Sequence, residues 1–418
     1  PLRPEDGRGS VHQGRALQSL YHRTGRRRYY RWARKVLMSA AEQPNAPADQ
    51  RLRAAAPAGR IGAQAGRWSE ALESFSRAVD LLPLVTRGKR VVAPPTAQQQ
   101  WASITADAAA AALEAGEPEV ALELLEHGRS AVLADFLPSG GELGELHRTH
   151  PDLADEVVRL RRLLDRPVTE PGLDQYDDRV RLARAWDQLV AETRAVRPDH
   201  LQRTPVSKLT EAVPEGCAVV INLSRYRSDA LVLIAGRVVT VPLPEVTPEN
   251  AAERAAEMLE AAHRDDHSVL VDGLDWTWRR IARPVLDRMG DVSTPEPGGR
   301  WPRIWWSAFG APAFLPVHAA TARTGESALD RVVSSYTPTL GCLLRAIERP
   351  VPDSGVPLVA AGSAELVARE LPRQNQVLAQ YWPSAEIAAV ESVSAAEVLR
   401  MIPHHPWLHV CEPSSQFP

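Results

Sequence analysis

Three segments of the chain repeat one helical face, and a repeat of this kind constrains the architecture more than any single residue can. Ala33, Leu37 and Ala40 form the first copy, Ala71, Phe75 and Ala78 the second, and Ala121, Leu125 and Gly128 the third. Spaced small-x3-large-x2-small, each trio falls on one side of a helix, where the small residues admit a neighbouring helix and the large one fills the gap. A turn glycine precedes each copy: Gly25, Gly66 and Gly116. The second and third copies agree in detail, since Ala65-Gly66 leads to Ala71-Leu72-Glu73 as Ala115-Gly116 leads to Ala121-Leu122-Glu123. Helix, glycine turn and helix are therefore expected three times within residues 1–135.

These residues resemble the tetratricopeptide repeat, with Gly59 where the first helix carries its glycine and Pro83 where the second helix ends. Ala33 to Ala71 spans 38 residues and Ala71 to Ala121 spans 50, against a family period of about 34. The array is thus degenerate, with one loop insertion at residues 91–96. The resemblance implies a groove that takes a peptide segment or partner domain, so a protein partner bound through the repeats is expected.

Residues 142–196 stay helical but change character. Leu153, Val157, Leu160, Leu163 and Leu164 make one stripe, and Val180, Leu182, Ala185, Trp186 and Leu189 a second, broken by Pro167, Pro171 and Gly172. The pattern predicts a helical hairpin as connector over residues 136–205. After Gly216 the periodicity switches to short apolar runs at 217–223, 230–234 and 238–243, with Ser228-Asp229 and Ala235-Gly236 read as the turns. Apolar on both faces, such strands belong to a covered sheet. Helices are expected at 248–263, 276–289, 340–347, 364–381 and 395–401. Strands are expected at 304–307, 357–361, 387–390 and 407–411, with a further strand-like run at 268–271. That alternation predicts an α/β sandwich over residues 206–418 that opens with a hairpin meander.

Four blocks of this second half resemble the CHAT family, whose members are caspase-like and often follow tetratricopeptide repeats. They are residues 218–231, residues 303–320 with Trp305-Trp306 and Leu315-Pro316-Val317-His318, residues 332–339, and His405-Pro406-Trp407-Leu408-His409-Val410. The resemblance implies a caspase-like fold. In its peptidases the strand matching 405–410 continues into a turn carrying a catalytic histidine, and the next strand ends in the nucleophilic cysteine. A cysteine attacks as thiolate and needs an imidazole within hydrogen-bond reach. Here the run reads Val410-Cys411-Glu412-Pro413 and stops at Pro418, with Glu412 or Pro413 where the histidine would fall. The CHAT-like part is therefore expected to be truncated and catalytically incomplete. The alternative is a fragment of a caspase-like cysteine endopeptidase.

No other pattern supplies chemistry. His409 and Cys411 alternate on one expected strand, which holds their side chains about 6 to 7 Å apart, too far for direct proton transfer. Cys217 and Cys342 read as core thiols. His404, His405, His409 and Cys411 match no common zinc spacing, and Asp265-Asp266-His267 reads as a solvated turn. Arg26-Arg27-Arg28-Tyr29-Tyr30-Arg31 mixes basic and aromatic residues, and snorkelling arginines on a solvated helix face account for it. The chain lacks GxxxxGK[ST], GxGxxG after a strand, GxSxG and HExxH motifs. No catalytic, cofactor-binding or metal residue is assigned, and no cofactor is implied.

Composition sets the remaining bounds. With 418 residues, 44% of them hydrophobic, the chain has material for more than one core. A formal net charge of −3 disfavours nucleic acid as the main ligand. The longest apolar runs fall short of the roughly 18 residues of a membrane span, and the beginning lacks a signal peptide's apolar core. Three cysteines in unrelated contexts make no disulfide framework, so a cytoplasmic, non-membrane protein is expected. Only three lysines occur beside abundant arginine, alanine and proline, which points to a GC-rich, actinobacterial coding sequence.

Overall fold

The structure, a computed structural model, describes residues 7–43, 46, 48–86, 95–133, 142–164, 173–196, 203–213, 216–264, 266–290, 299–348, 358–361, 372, 376, 380, 388–391, 400–401 and 408–411. The chain forms two compact units, Pro1–Arg345 and Ala346–Pro418.

The first unit begins with three helix pairs: α1 (Gly7–Thr24) with α2 (Arg27–Ala41), α3 (Ala48–Gln64) with α4 (Trp68–Thr86), and α5 (Pro95–Glu114) with α6 (Pro118–Leu133). The three repeated faces lie on α2, α4 and α6. Ala33, Leu37, Ala71, Phe75, Ala78 and Ala121 are fully buried. Each expected turn glycine adopts positive φ, +62° at Gly25, +65° at Gly66 and +83° at Gly116, where a Cβ would be strained.

The likeness of the second and third copies extends to their hydrogen bonds. Arg67 N–H donates to Gly62 O and Gly66 N–H to Ala63 O, while Glu117 N–H donates to Ala112 O and Gly116 N–H to Leu113 O. Both are Schellman endings, in which a left-handed glycine lets the last carbonyls find donors. The first copy uses the single bond from Gly25 N–H to Tyr21 O. Gly59 is required by packing, since a Cβ there would stand 2.6 Å from the Phe75 ring. Pro83 does not end its helix: α4 runs on to Thr86 with Pro83 buried inside it.

α7 (Glu142–Thr149), α8 (Pro151–Leu164) and α9 (Leu173–Val196) form the connector. Val157, Leu160, Trp186 and Leu189 meet in one small core with Leu146, Ala154 and Val190, and Leu84 of α4 packs against it. Ala185, assigned to that stripe from the sequence, faces solvent. The side chains of Leu164 and Val180 lie outside the described residues.

A short α10 (Val206–Leu209) and a 3-10 turn (Thr210–Ala212) lead to the meander β1 (Cys217–Leu223), β2 (Ser228–Ile234) and β3 (Arg237–Pro242). Next come α11 (Pro248–Arg264) and α12 (His267–Thr277), which continues through a π turn (Trp278–Ala282) into α13 (Arg283–Arg288). β4 (Arg303–Ser307), β5 (Val333–Tyr336) and α14 (Leu340–Ile347) follow. The sheet order is β3-β2-β1-β4-β5. β1 is antiparallel to β2 and parallel to β4, and β4 is parallel to β5.

Strand alternation divides this sheet between two cores. Ala218, Val220, Leu231 and Leu233 join the core of the helical array. Cys217, Val219, Ile221, Ala230, Val232, Ile304 and Trp306 join Trp278, Ile281, Val285 and Leu286 on the other side. The sheet is covered on both faces, as its apolar strands required, and one cover is the array itself.

Two local expectations are overturned. Ser228-Asp229 is not the first turn of the meander: both residues lie in β2, and the chain reverses at 224–227, where Ser224 N–H donates to Arg227 O. Asp229 is a buried strand residue because Arg227 meets its carboxylate with two hydrogen bonds of 2.7 Å. Residues 268–271 are helical, not strand-like. Asp266 caps α12 by accepting from Ser268 and Val269 N–H, and its satisfied first turn starts a helix ahead of position 276.

The second unit contains β6 (Leu358–Ala361), β7 (Ala388–Glu391) and β8 (Leu408–Cys411), all parallel in the order β7-β6-β8. These are the three strands expected there. The helices expected at 364–381 and 395–401 fall largely outside the described residues.

Candidate functional site

The thiols were the first candidates for chemistry. Cys217, in β1, is buried with its Sγ 3.5 Å from Met289 Sδ, and burial pushes its pKa up to about 12. Cys342, in α14, takes contacts from Thr339 Oγ1 at 3.2 Å and Arg345 Nη2 at 3.3 Å. Among the described residues neither thiol touches a histidine. His318 sits on a 3-10 turn (Val317–Ala319), with its N–H donated to Tyr336 Oη and its Nδ1 2.8 Å from that hydroxyl. His409 and Cys411 occupy alternate positions of β8, and their side chains lie outside the described residues, as do His404, His405 and Asp265. Asp266 is the α12 cap, and its neighbouring donors hold its carboxyl below the usual range, with Ser268 the largest cause. Among the described residues no group of histidine, cysteine and carboxylates is arranged to hold a metal ion.

The array surface offers more. A concavity of about 770 Å³ lies between α2 and the start of α4, lined by Tyr30, Arg31, Arg34, Lys35, Met38 and Glu70 among others. It is framed by the second helices of the first two pairs. Tyr30 donates to Glu70 Oε2 at 2.7 Å, and Arg34 and Arg67 approach Glu70 at 3.2 and 3.5 Å. Desolvation, followed by the Glu70 bond, raises the Tyr30 pKa, so the phenol keeps its proton. Glu70 therefore gathers the phenol and two guanidinium groups into a fixed wall. Arg31 and Lys35 project from α2 without ionic partners among the described residues, and Trp32, next to them on the helix surface, is 57% exposed. A large aromatic flanked by two unneutralised cations departs from an ordinary solvated face. Arg28 covers the Tyr29 ring at 4.7 Å.

At the other end of the array the sequence reading missed two residues. Glu126 and Arg129 of α6 are buried in the joint with the sheet. Arg129 donates to Ser307 O, Ser307 Oγ and Ile221 O, closing the carboxyl ends of β4 and β1. Glu126 accepts Gly341 N–H at 3.1 Å, satisfying a donor at the start of α14. Burial raises the Glu126 carboxyl and lowers Arg129 to about 10. The signal was present: positions 122, 126 and 129 follow one helical stripe, so two charges stood on an apolar face. Among the described residues no helix is long and apolar enough to cross a membrane. Compared with models of known protein families and with curated proteins, the chain matches none.

Proposed function

We propose that the chain is a protein-interaction and signalling protein that binds an acidic segment of a partner through the α2 side of its tetratricopeptide-like array. Its α/β part is a CHAT-like, caspase-type module lacking a working histidine–cysteine dyad. The carrying observation is Trp32 standing exposed next to Arg31 and Lys35, which have no ionic partner among the described residues and line a concavity with a fixed wall. An aromatic anchor with a cationic rim is the composition from which binding hot spots and electrostatic steering arise. The surroundings of Cys217, whose thiol burial pushes up to about 12, support the inactive reading, since a nucleophile needs a depressed thiol pKa and a neighbouring base.

A photo-crosslinking residue at position 32 of the full chain, applied to lysate of the source organism, tests this. Crosslinked peptides should be acidic, should vanish with Arg31→Glu/Lys35→Glu, and should return when the partner's acids are changed to lysine. Crosslinks indifferent to these charge changes would overturn the proposal. A second reading, part of a caspase-like cysteine endopeptidase, is favoured by the parallel order β7-β6-β8, in which the strand of His409 and Cys411 is the outermost among the described residues and leaves room for a following strand. In that reading the histidine and cysteine lie past Pro418 in a longer parent chain, and casein cleavage by that parent, absent from the present chain, would establish it.

A further inference from the structure

The carboxyl ends of β1 and β4 open into a second cavity, of about 630 Å³, remote in sequence from the α2 surface. α5 and α6 wall one side, α11 another, and the loop after β4 with Phe309 and Pro312 a third. This is the crevice where an open α/β sheet ordinarily takes a ligand. The chain leaves β1 toward β2 on one side and returns to β4 on the other, so connections diverge and leave a gap between strand ends. Its volume is that of a small-molecule pocket.

The polar groups lining it are incompletely matched. Arg129 is only 4% exposed, and its bonds go to two carbonyls and one hydroxyl; Glu126, one turn back on α6, acts on it through charge, but among the described residues no carboxylate stands at ion-pair distance. A guanidinium has five N–H groups, and these bonds use three at most. Asn222 is 1% exposed; its amide donates to Ala106 O, which leaves Oδ1 without a donor. Asp107 accepts from Ser224 Oγ at 2.8 Å, and its other oxygen meets Arg225 Nε at 3.3 Å outside hydrogen-bond alignment. Glu249 stands exposed at the rim with no ionic partner among the described residues. Once Arg225 and Asp107 are paired off, a buried cation, a buried acceptor and a rim carboxylate remain.

We propose that this cavity binds a short zwitterionic peptide. Its carboxylate lies on Arg129, an amide N–H on Asn222 Oδ1, and its ammonium toward Glu249. A nucleotide of similar size offers an anion for Arg129 but no cation for Glu249, and a purely anionic ligand would leave the rim carboxylate opposed. The peptide supplies Arg129 with a carboxylate at ion-pair distance, which is the usual condition for burying a charge.

Isothermal titration of the full chain tests the proposal with trialanine, trialanine amide, N-acetyl-trialanine and adenosine monophosphate. Trialanine should bind. The amide should bind more weakly by roughly tenfold to a hundredfold, the loss of one charge-assisted hydrogen bond. The acetylated form should lose less, because Glu249 is solvated. Ala252→Trp fills the cavity from the exposed face of α11, so it should abolish binding without entering the core. Arg129→Lys should weaken it if that variant folds. No binding of trialanine, equal binding of its amide, binding undiminished by Ala252→Trp, or preference for the nucleotide would each overturn the assignment.

Discussion

At the amino end of the array α2 presents Arg31, Trp32 and Lys35 to solvent, whereas at the other end α6 turns Glu126 and Arg129 into the joint with the sheet. Both helices carry the same small-large-small face, and in both that face packs on helices of the array. What differs is the charged side of each helix, which on α6 adjoins that face. At α2 nothing among the described residues covers it, so charged side chains stay in water, where each contributes little to stability. At α6 the sheet covers it, so the charges are desolvated and must be satisfied by strand carbonyls and a helix amide. One repeat unit therefore supplies a recognition surface at one end and a structural brace at the other.

The largest effect separating the two ends is expected from Arg129→Ala. It leaves Ser307 O and Ile221 O, at the ends of β4 and β1, without their shared charged donor, costing about 2 to 4 kcal/mol in urea unfolding. A loss under roughly 1 kcal/mol would show that the brace contributes only packing. Gly128→Val comes next: the Cβ would stand 2.2 Å from Thr105 Oγ1, and overpacking should cost about 1 to 3 kcal/mol. Gly116→Ala, where φ is +83°, should cost about 1 to 2 kcal/mol from the left-handed backbone alone. Arg31→Glu/Lys35→Glu should change stability by less than about 0.5 kcal/mol while abolishing the charge-dependent crosslinks. A large loss there would mean that α2 is structural and the contrast between the ends is false.

The thiols sharpen the same contrast through reactivity. Cys217 has its pKa raised from 9.0 to about 12 by burial, so the fold favours its protonated form. That preference costs nothing below pH 9 and weakens the fold only as pH rises from there toward 12. Peptide-resolved iodoacetamide labelling at neutral pH should spare Cys217 in the native chain and modify the half-buried Cys342 first. Rapid labelling of Cys217 would mean that β1 opens locally.

The repeated faces, the turn glycines and the apolar strands were legible because each rests on a period or on a backbone conformation that only glycine adopts easily. The helix at 340–347 and the strand at 217–223 fall where the pattern put them. Ser228-Asp229 was misread because aspartate usually marks turns, and only the ion pair with Arg227 lets it enter a strand. The helix from His267 was missed because Asp266 was weighed as a solvated acid and not as a cap. Of the sites, the basic and aromatic run on α2 was visible in sequence, but exposure and lack of ionic partners are properties of neighbours. The cavity at β1 and β4 was illegible: Asp107, Arg129, Asn222 and Glu249 are scattered over more than a hundred residues with no common spacing.

By itself the sequence determined most of the described helices and strands, where the array turns, and which faces are apolar, because these follow from periodicity and local backbone preference. Tertiary structure alone decided that the array covers one face of the sheet, that Glu126 and Arg129 are buried there, and that unmatched polar groups converge at the strand ends. Such outcomes depend on which distant surfaces exclude water from each other, and no local pattern of residues encodes that pairing.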